Sequence, residues 1–452
     1  MFVVVVKALG NYYTPSVPTP QTPTTIGLDV IVNGVRETAA TSTKTYVDGK
    51  AQLAVDVNED VVSKKMDAVL AENTDNKTDN IIEVPIISAN SDKVDVGLNG
   101  QIVKKMEDNN FKLNVHINNI SYILPASEVN ISDIAQSLNS ESNLKDIEIN
   151  VRVESITSSM NAGIAQNAKT GSYELVIPAV NFEITATSKT TGKSVSINHF
   201  AQYVAREFEI PAGIDPNKIT TGVVVDLDGK VRHEPTKITM VNGKYYAKIN
   251  SLTNSPYTVV WHPLEFKDIK ENWAEKAIND MGSRMVIEGV GDGNYEPDRD
   301  ITRAEFAAII VKALGIKSGL GENKFSDVTS TAWYCDYVKT ASEYKIIEGY
   351  GKGKFGPMDN ISREQAMTMI SNAMKTTGLK INLNDSEISK LFASFDMQGS
   401  AAKWAAKHIA VCIKSGVVSK NDGKMNAIKG NVTHAEVAVI VRNLLQKSEL
   451  IN

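Results

Sequence analysis

Residues 266–315 read FKDIKENWAEKAINDMGSRMVIEGVGDGNYEPDRDITRAEFAAIIVKALG. After Trp273, apolar residues recur at helical spacing (Ala277, Ile278, Met281, Met285). A glycine-rich loop follows, with Gly289, Gly291 and Gly293, and then Thr302 with Glu305 three residues on, the spacing of a capping box. The same order returns in FSDVTSTAWYCDYVKTASEYKIIEGYGKGKFGPMDNISREQAMTMISNAM (325–374) and in FDMQGSAAKWAAKHIAVCIKSGVVSKNDGKMNAIKGNVTHAEVAVIVRNLL (395–445). Trp273 precedes Arg303 by 30 positions, Trp333 precedes Arg363 by 30, and Trp404 precedes His434 by 30. Ser362 and Thr433 repeat the cap, with Gln365 and Glu436 as partners. The segments behind the caps (FAAIIVKAL, AMTMISNAM, VAVIVRNLL) are almost wholly apolar, so one cannot bury itself alone but three can pack together.

Outward from the repeats the texture changes. Residues 27–262 carry alternating strand patterns such as AQLAVDV, IIEVPII, FKLNVHI, DIEINVRV, YELVIPAVNFEITAT and TGVVVDL. Asp228-Gly229 and Asn242-Gly243 are hairpin-turn signals between them. Amphipathic helices are predicted over 59–72 and 102–109. A Ser-, Asn- and Gly-rich break at 158–172 predicts two units, an α+β domain at 27–157 and a mostly β domain at 172–262. Residues 11–26 are a Pro-rich, stiff linker. The start, MFVVVVKALG, lacks the basic flank and small-residue cleavage site of a signal peptide. It overlays FAAIIVKALG at 306–315, so residues 1–10 read as the remnant of another repeat helix.

The bulk numbers bound the rest. A chain of 452 residues has room for about two to four domains. A formal charge of -5 gives no basic face for nucleic acid. No stretch approaches the roughly 20 apolar residues of a membrane span. The two cysteines, Cys335 and Cys412, sit in apolar helical contexts and read as buried small hydrophobes. Asp292, Asn294, Asp298 and Asp300 have the composition of a calcium loop but not its spacing, and the six histidines include no pair at metal spacing. No nucleophile elbow or phosphate loop occurs, so no catalytic residue, metal or cofactor is expected.

The motif of aromatic-x-Asp, Trp, Gly-rich loop ending in aromatic-x-Pro, and Thr-Arg-Ala-Glu resembles the S-layer homology (SLH) repeats of bacterial surface proteins. The resemblance covers three repeats, at 264–316, 323–379 and 393–450. It implies a multidomain chain: a strand-rich α+β N-terminal region, then an all-α pseudo-threefold prism with a three-helix core. It implies an extracellular place at the bacterial cell wall, in non-covalent contact with a secondary cell-wall polymer, commonly one carrying ketal-linked pyruvate. The expected binding residues are Arg303, Arg363, Trp273, Trp333, Gly293, Gly353, Glu305 and His434. An Arg fork at the first turn of a helix matches a carboxylate, glycines let backbone amides approach a sugar, and Trp stacks on sugar faces or packs its helix. Asp268 and Asp327 read as helix caps. The third repeat departs from the pattern, with His434 for Arg and no aromatic-x-Pro in its loop.

Two functions remain open. The favoured one is a non-enzymatic S-layer, structural or adhesive protein, with self-association in a surface lattice open. The alternative is a wall-anchored extracellular enzyme, a glycan hydrolase or protease, whose catalytic part is upstream or cryptic.

Overall fold

The computed structural model describes residues 24–72, 80–87, 90–140, 143–395, 397 and 401–452. The proposed helix remnant at 1–10 and most of the Pro-rich linker lie outside them. A strand-rich region is followed by a helical one.

Alternation writes the strands directly. Phe111–Ile117 buries every second residue, and Ile147–Ser155 does so as far as Val153, as period-two side-chain placement requires. The strands form one 17-stranded sheet. Thr24–Val32 and Val35–Val47 form an antiparallel hairpin near its middle. On one side the sheet continues through Asn80–Ile86, Phe111–Ile117, Ile120–Pro125 and His199–Glu209 to Lys244–Thr253. On the other it continues through Lys50–Val57, Lys93–Asn99 and Ile147–Ser155 to Val180–Ser188. The helices Glu59–Glu72 and Gly100–Asp108 lie where amphipathicity predicts them. Asn242 and Gly243 both hold positive φ, the geometry of a two-residue hairpin turn, between Thr236–Val241 and Lys244–Thr253.

The expected division at 158–172 differs from the structure. Ser158–Thr170 is a helix, capped by the Thr157 hydroxyl. The strands on either side, Ile147–Ser155 and Val180–Ser188, pair along their whole length. Val30, Val84 and Val96 share one core with Phe182, Tyr257 and Val259. The segment has a linker's composition because nearly all of it faces water; Ile164 alone is fully buried.

Each repeat contributes two helices: Glu275–Ser283 and Arg303–Ala313, Cys335–Glu343 and Arg363–Thr377, Lys403–Lys414 and His434–Lys447. Asp385–Phe395 is a further helix ahead of the third pair. All three second helices start with a complete capping box. Just before them the backbone closes a ring. Ile301 donates to Val432 (2.9 Å), Val432 to Ile361 (2.9 Å) and Ile361 to Ile301 (3.1 Å). Asn360 and Asn431 both donate to Asp300 Oδ2 (3.3 and 2.7 Å). The apolar faces of all three repeats merge into one core with Phe306, Ile310, Met367, Ile370, Val437 and Val441.

The two regions touch. The Tyr203 hydroxyl donates to the Leu314 carbonyl (2.8 Å), and Asn452 exchanges two hydrogen bonds with the Ile238 backbone. No helix among the described residues is long and apolar enough to cross a membrane.

Candidate functional site

The glycine-rich loop of each of the first two repeats is a tight reversal held from below. Asp268 accepts from the Tyr295 and Glu296 amides (2.8 and 2.7 Å), and Asp327 from Phe355 and Gly356 (both 2.9 Å). The expectation that these aspartates cap helices is therefore corrected. The helix at 275–283 has Ala274 at its N-cap, and the carboxylates satisfy loop amides that have no strand partner. Burial raises the pKa of each aspartate, but these amide bonds outweigh it and hold both carboxyls below the usual range. Gly293 and Gly353 sit at the reversal with φ of 78° and 67°. That conformation strains a residue with a Cβ. Their carbonyls accept from Lys267 and Ser326 (2.8 Å each).

The residues thirty positions after each Trp reach across to the next repeat. Arg303, 3% exposed, donates to the Phe355 and Glu348 carbonyls (2.9 Å each), with its guanidinium 4.5 Å from the Tyr350 ring centroid and 4.7 Å from that of Phe355. Arg363, 4% exposed, places Nη2 2.7 Å from both carboxylate oxygens of Glu436. His434 takes the Tyr295 carbonyl at 3.0 Å through Nδ1. Arg303 and His434 thus tie their helix starts to the loop of a neighbouring repeat, and Arg363 ties its own to the first turn of the third repeat's second helix, with Nη1 3.5 Å from the Ala427 carbonyl of that repeat's loop. The Arg363 fork expected to meet a ligand carboxylate is paired with a carboxylate of the protein.

The tryptophans stand outside. Trp273, Trp333 and Trp404 are 50%, 60% and 55% exposed. Trp273 reaches the third repeat's loop, its Cζ2 3.0 Å from where a Cβ on Gly423 would lie. Trp333 lines a groove of about 190 Å3 against Val286–Val290 of the first repeat. His434 also lines it. It is 6% exposed, its Nε2 has no hydrogen-bond partner among the described residues, and burial lowers its pKa so that the ring is neutral at pH 7.

Glu305 lines the groove from its capping box, accepting from the Thr302 amide (2.8 Å) and hydroxyl (2.7 Å). Burial pushes its pKa up, but these bonds and Arg299 outweigh it, so the carboxyl is held below the usual range. Two cations that the repeat alignment passed over complete the wall. Arg299 pairs with Glu296 (2.9 Å) and Glu305 (3.1 Å), and Lys312 with Glu288 (2.6 Å). The 60-residue offset puts Asp359 where Arg299 stands, so a search for repeated residues could not find it. An exposed indole beside cations and an unpartnered imidazole can stack on a ring and bind polar or acidic substituents. Among the described residues no group of three or more His, Cys, Asp or Glu could hold a metal.

The model of the S-layer homology domain matches residues 265–307, 324–367 and 396–438. The chain is 38% identical over 197 residues to the exoglucanase XynX of Acetivibrio thermocellus, covering 44% of this chain and 18% of that protein. It is 32% identical over 311 residues to the amylopullulanase of Thermoanaerobacterium thermosulfurigenes, covering 65% of this chain and 16% of that protein. That match is longer than residues 265–452, so it takes in part of the strand-rich region. It is 35% identical over 104 residues to the middle cell wall protein of Brevibacillus brevis, covering 22% of this chain and 10% of that protein. The chain spans less than a fifth of the length of each. The expectation of a non-enzymatic protein is overturned by these relatives, which are glycoside hydrolases. Residues 265–307, 324–367 and 396–438 are three S-layer homology domains, and the chain belongs to a cell-surface, cell-wall-associated protein.

Proposed function

We propose that this chain attaches an extracellular glycan hydrolase to the wall, its catalytic part upstream or cryptic in the strand-rich region. The repeats would hold a secondary cell-wall polymer non-covalently in the grooves between them. The observation that carries the binding role is the groove beside Trp333: an indole 60% exposed next to Arg299, Lys312 and the unpartnered Nε2 of His434. A protein that exposes three such indoles at equivalent places loses hydrophobic burial at each, and stacking on sugar rings would recover it. The cations fit an acidic substituent such as a pyruvate ketal. The ring through Ile301, Val432 and Ile361 supports reading the repeats as a pseudo-threefold prism with a three-helix core.

In this arrangement Arg303 and Arg363 act through the loops they hold, and Trp273, Trp333, Glu305 and His434 face the polymer. Gly293 and Gly353 shape the reversals. The hydrolase role rests on the relatives, in particular on the amylopullulanase match that runs beyond the repeats. The likeness to proteins named for the cell wall and the surface layer favours a second reading, a surface-layer subunit, for which self-association would follow.

The test has two arms. The chain is sedimented with purified cell walls before and after the wall polysaccharide is stripped; it should pellet with intact walls only. Equal pelleting with stripped walls would remove the polymer reading. The full-length protein is assayed on starch, xylan and β-glucan, and examined for ordered sheets by electron microscopy. Hydrolysis supports the first reading, and sheets without hydrolysis support the second.

A further inference from the structure

A larger cavity, of about 680 Å3, opens where the strand-rich region meets the first repeat. Tyr173, Lys230, Arg232 and His262 line it from the strand-rich side, and Phe266, the segment Ile287–Gly289, Lys312 and Tyr337 from the repeats. Its size is that of a small-ligand site.

Three features give it a chemistry. First, its lining holds the cations Lys230, Arg232 and Lys312; Lys230 pairs with Asp228 (2.8 Å) and Lys312 with Glu288 (2.6 Å), while Arg232 stands no closer than 3.7 Å to any carboxylate. Second, it keeps polar groups unused. The Tyr173 hydroxyl has no hydrogen-bond partner although the residue is only 5% exposed, and Arg232 Nε has none either, with Asp226 no nearer than 3.7 Å. His262 holds the Ser283 carbonyl through Nδ1 at 2.8 Å. Buried donors without hydrogen-bond partners are costly, and a ligand oxygen would remove that cost. Third, aromatic rings from both sides, Tyr173, Phe266 and Tyr337, line the same space.

Its position connects it to the groove beside Trp333. Ile287, Glu288, Gly289 and Lys312 line both cavities, so one thin wall separates them, and Lys312 faces both. We infer that this cavity is a second subsite for the same wall glycan, taking an acidic sugar further along the chain and so drawing the strand-rich region onto the polymer. The inference rests on the polymer reading of the Trp333 groove.

The experiment uses the whole chain and wall polysaccharide released from bacterial walls and separated into short and long pools. Calorimetry compares wild type with Trp333→Ala, Tyr173→Phe and Arg232→Ala. Tyr173→Phe removes only an unpartnered hydroxyl and so leaves folding intact, whereas Arg232→Ala also loses a bond to the Gly315 carbonyl. Wild type should bind the long pool more tightly than the short. Tyr173→Phe and Arg232→Ala should lose roughly three- to tenfold on the long pool, the size of a single hydrogen bond, and nothing on the short pool. Trp333→Ala should weaken both. With carboxylates reduced, the long pool should no longer distinguish Arg232→Ala from wild type. If Trp333→Ala weakens binding but Tyr173→Phe binds the long pool as wild type does, the second subsite is overturned and the groove reading stands. If Trp333→Ala binds both pools normally, the groove reading falls and takes the subsite with it. If reduced fragments still separate Arg232→Ala from wild type, recognition of an acidic sugar is overturned.

Discussion

Arg363 and Glu436 form a closed pair across two repeats: Nη2 lies 2.7 Å from each carboxylate oxygen, Nε lies 3.1 Å from Oε1, and both side chains are at most 5% exposed. Glu436 also accepts from the Thr433 and Lys424 amides (3.0 and 2.7 Å), so one carboxylate fixes a helix cap, a loop and a neighbouring repeat. Removing one partner strands a buried charge, at a cost of about 3–5 kcal/mol. Arg363→Ala should therefore lower the unfolding midpoint strongly in calorimetry. Arg363→Met with Glu436→Gln should recover much of the loss, because no buried charge is left unpaired. A double variant as unstable as Arg363→Ala would show that charge stranding is not the cause.

Trp333→Ala should behave in the opposite way. The side chain is 60% exposed, and surface changes away from caps and cores stay within about 0.5 kcal/mol. Thermal unfolding should barely move, while pelleting with intact walls falls roughly tenfold or more. Lost stability with unchanged wall binding would make the indole a packing residue.

Glu234 sets a dependence on pH. It is fully buried, and neither carboxylate oxygen has a hydrogen-bond partner among the described residues. Burial pushes its pKa up to about 8, against the pull of Arg232. The folded protein keeps this proton where the unfolded chain, near pH 4.5, gives it up. The contribution is therefore complete below pH 4.5 and is lost as pH rises to about 8, above which both states are ionised. Glu234→Gln should stabilise the protein at pH 8 relative to wild type, with the gap closing toward pH 4.5. Parallel stability curves for the two proteins across this window would refute the assignment.

The cysteines give a probe of global opening. Cys335 and Cys412 are free and buried, at 5% and 0% exposure, and burial raises the Cys412 thiol well above its ordinary pKa. A thiol reagent should label neither in the native protein and both after unfolding, since the thiolate is the reactive form. Rapid native labelling of Cys412 would mean that the third repeat opens on its own.

The repeats were legible because a Trp, a glycine reversal and a capping box recur at fixed spacing, each with a local cause. Individual strands were legible where one face is buried, as at Phe111–Ile117. Their pairing was not, because the partner of Ile147–Ser155 is set by contacts far along the chain, and a polar helix that buries little besides Ile164 looks like a linker. The same limit governs the site. An Arg in the first turn of a helix reads identically whether it faces solvent or the next repeat, so the burial of Arg303 and Arg363 came only with the fold. Arg299, which is not repeated, gave no signal at all.

The ring joining Ile301, Val432 and Ile361 bears on how the anchor carries force. In a linear array of repeats, each unit touches only its neighbours, and a pull can peel them away one at a time. Here the first repeat, which follows the strand-rich region in the chain, is bonded directly to both others. Tension entering near His262 is thus passed on to three units at once, and the anchor should yield in a single mechanical event rather than by stepwise unravelling.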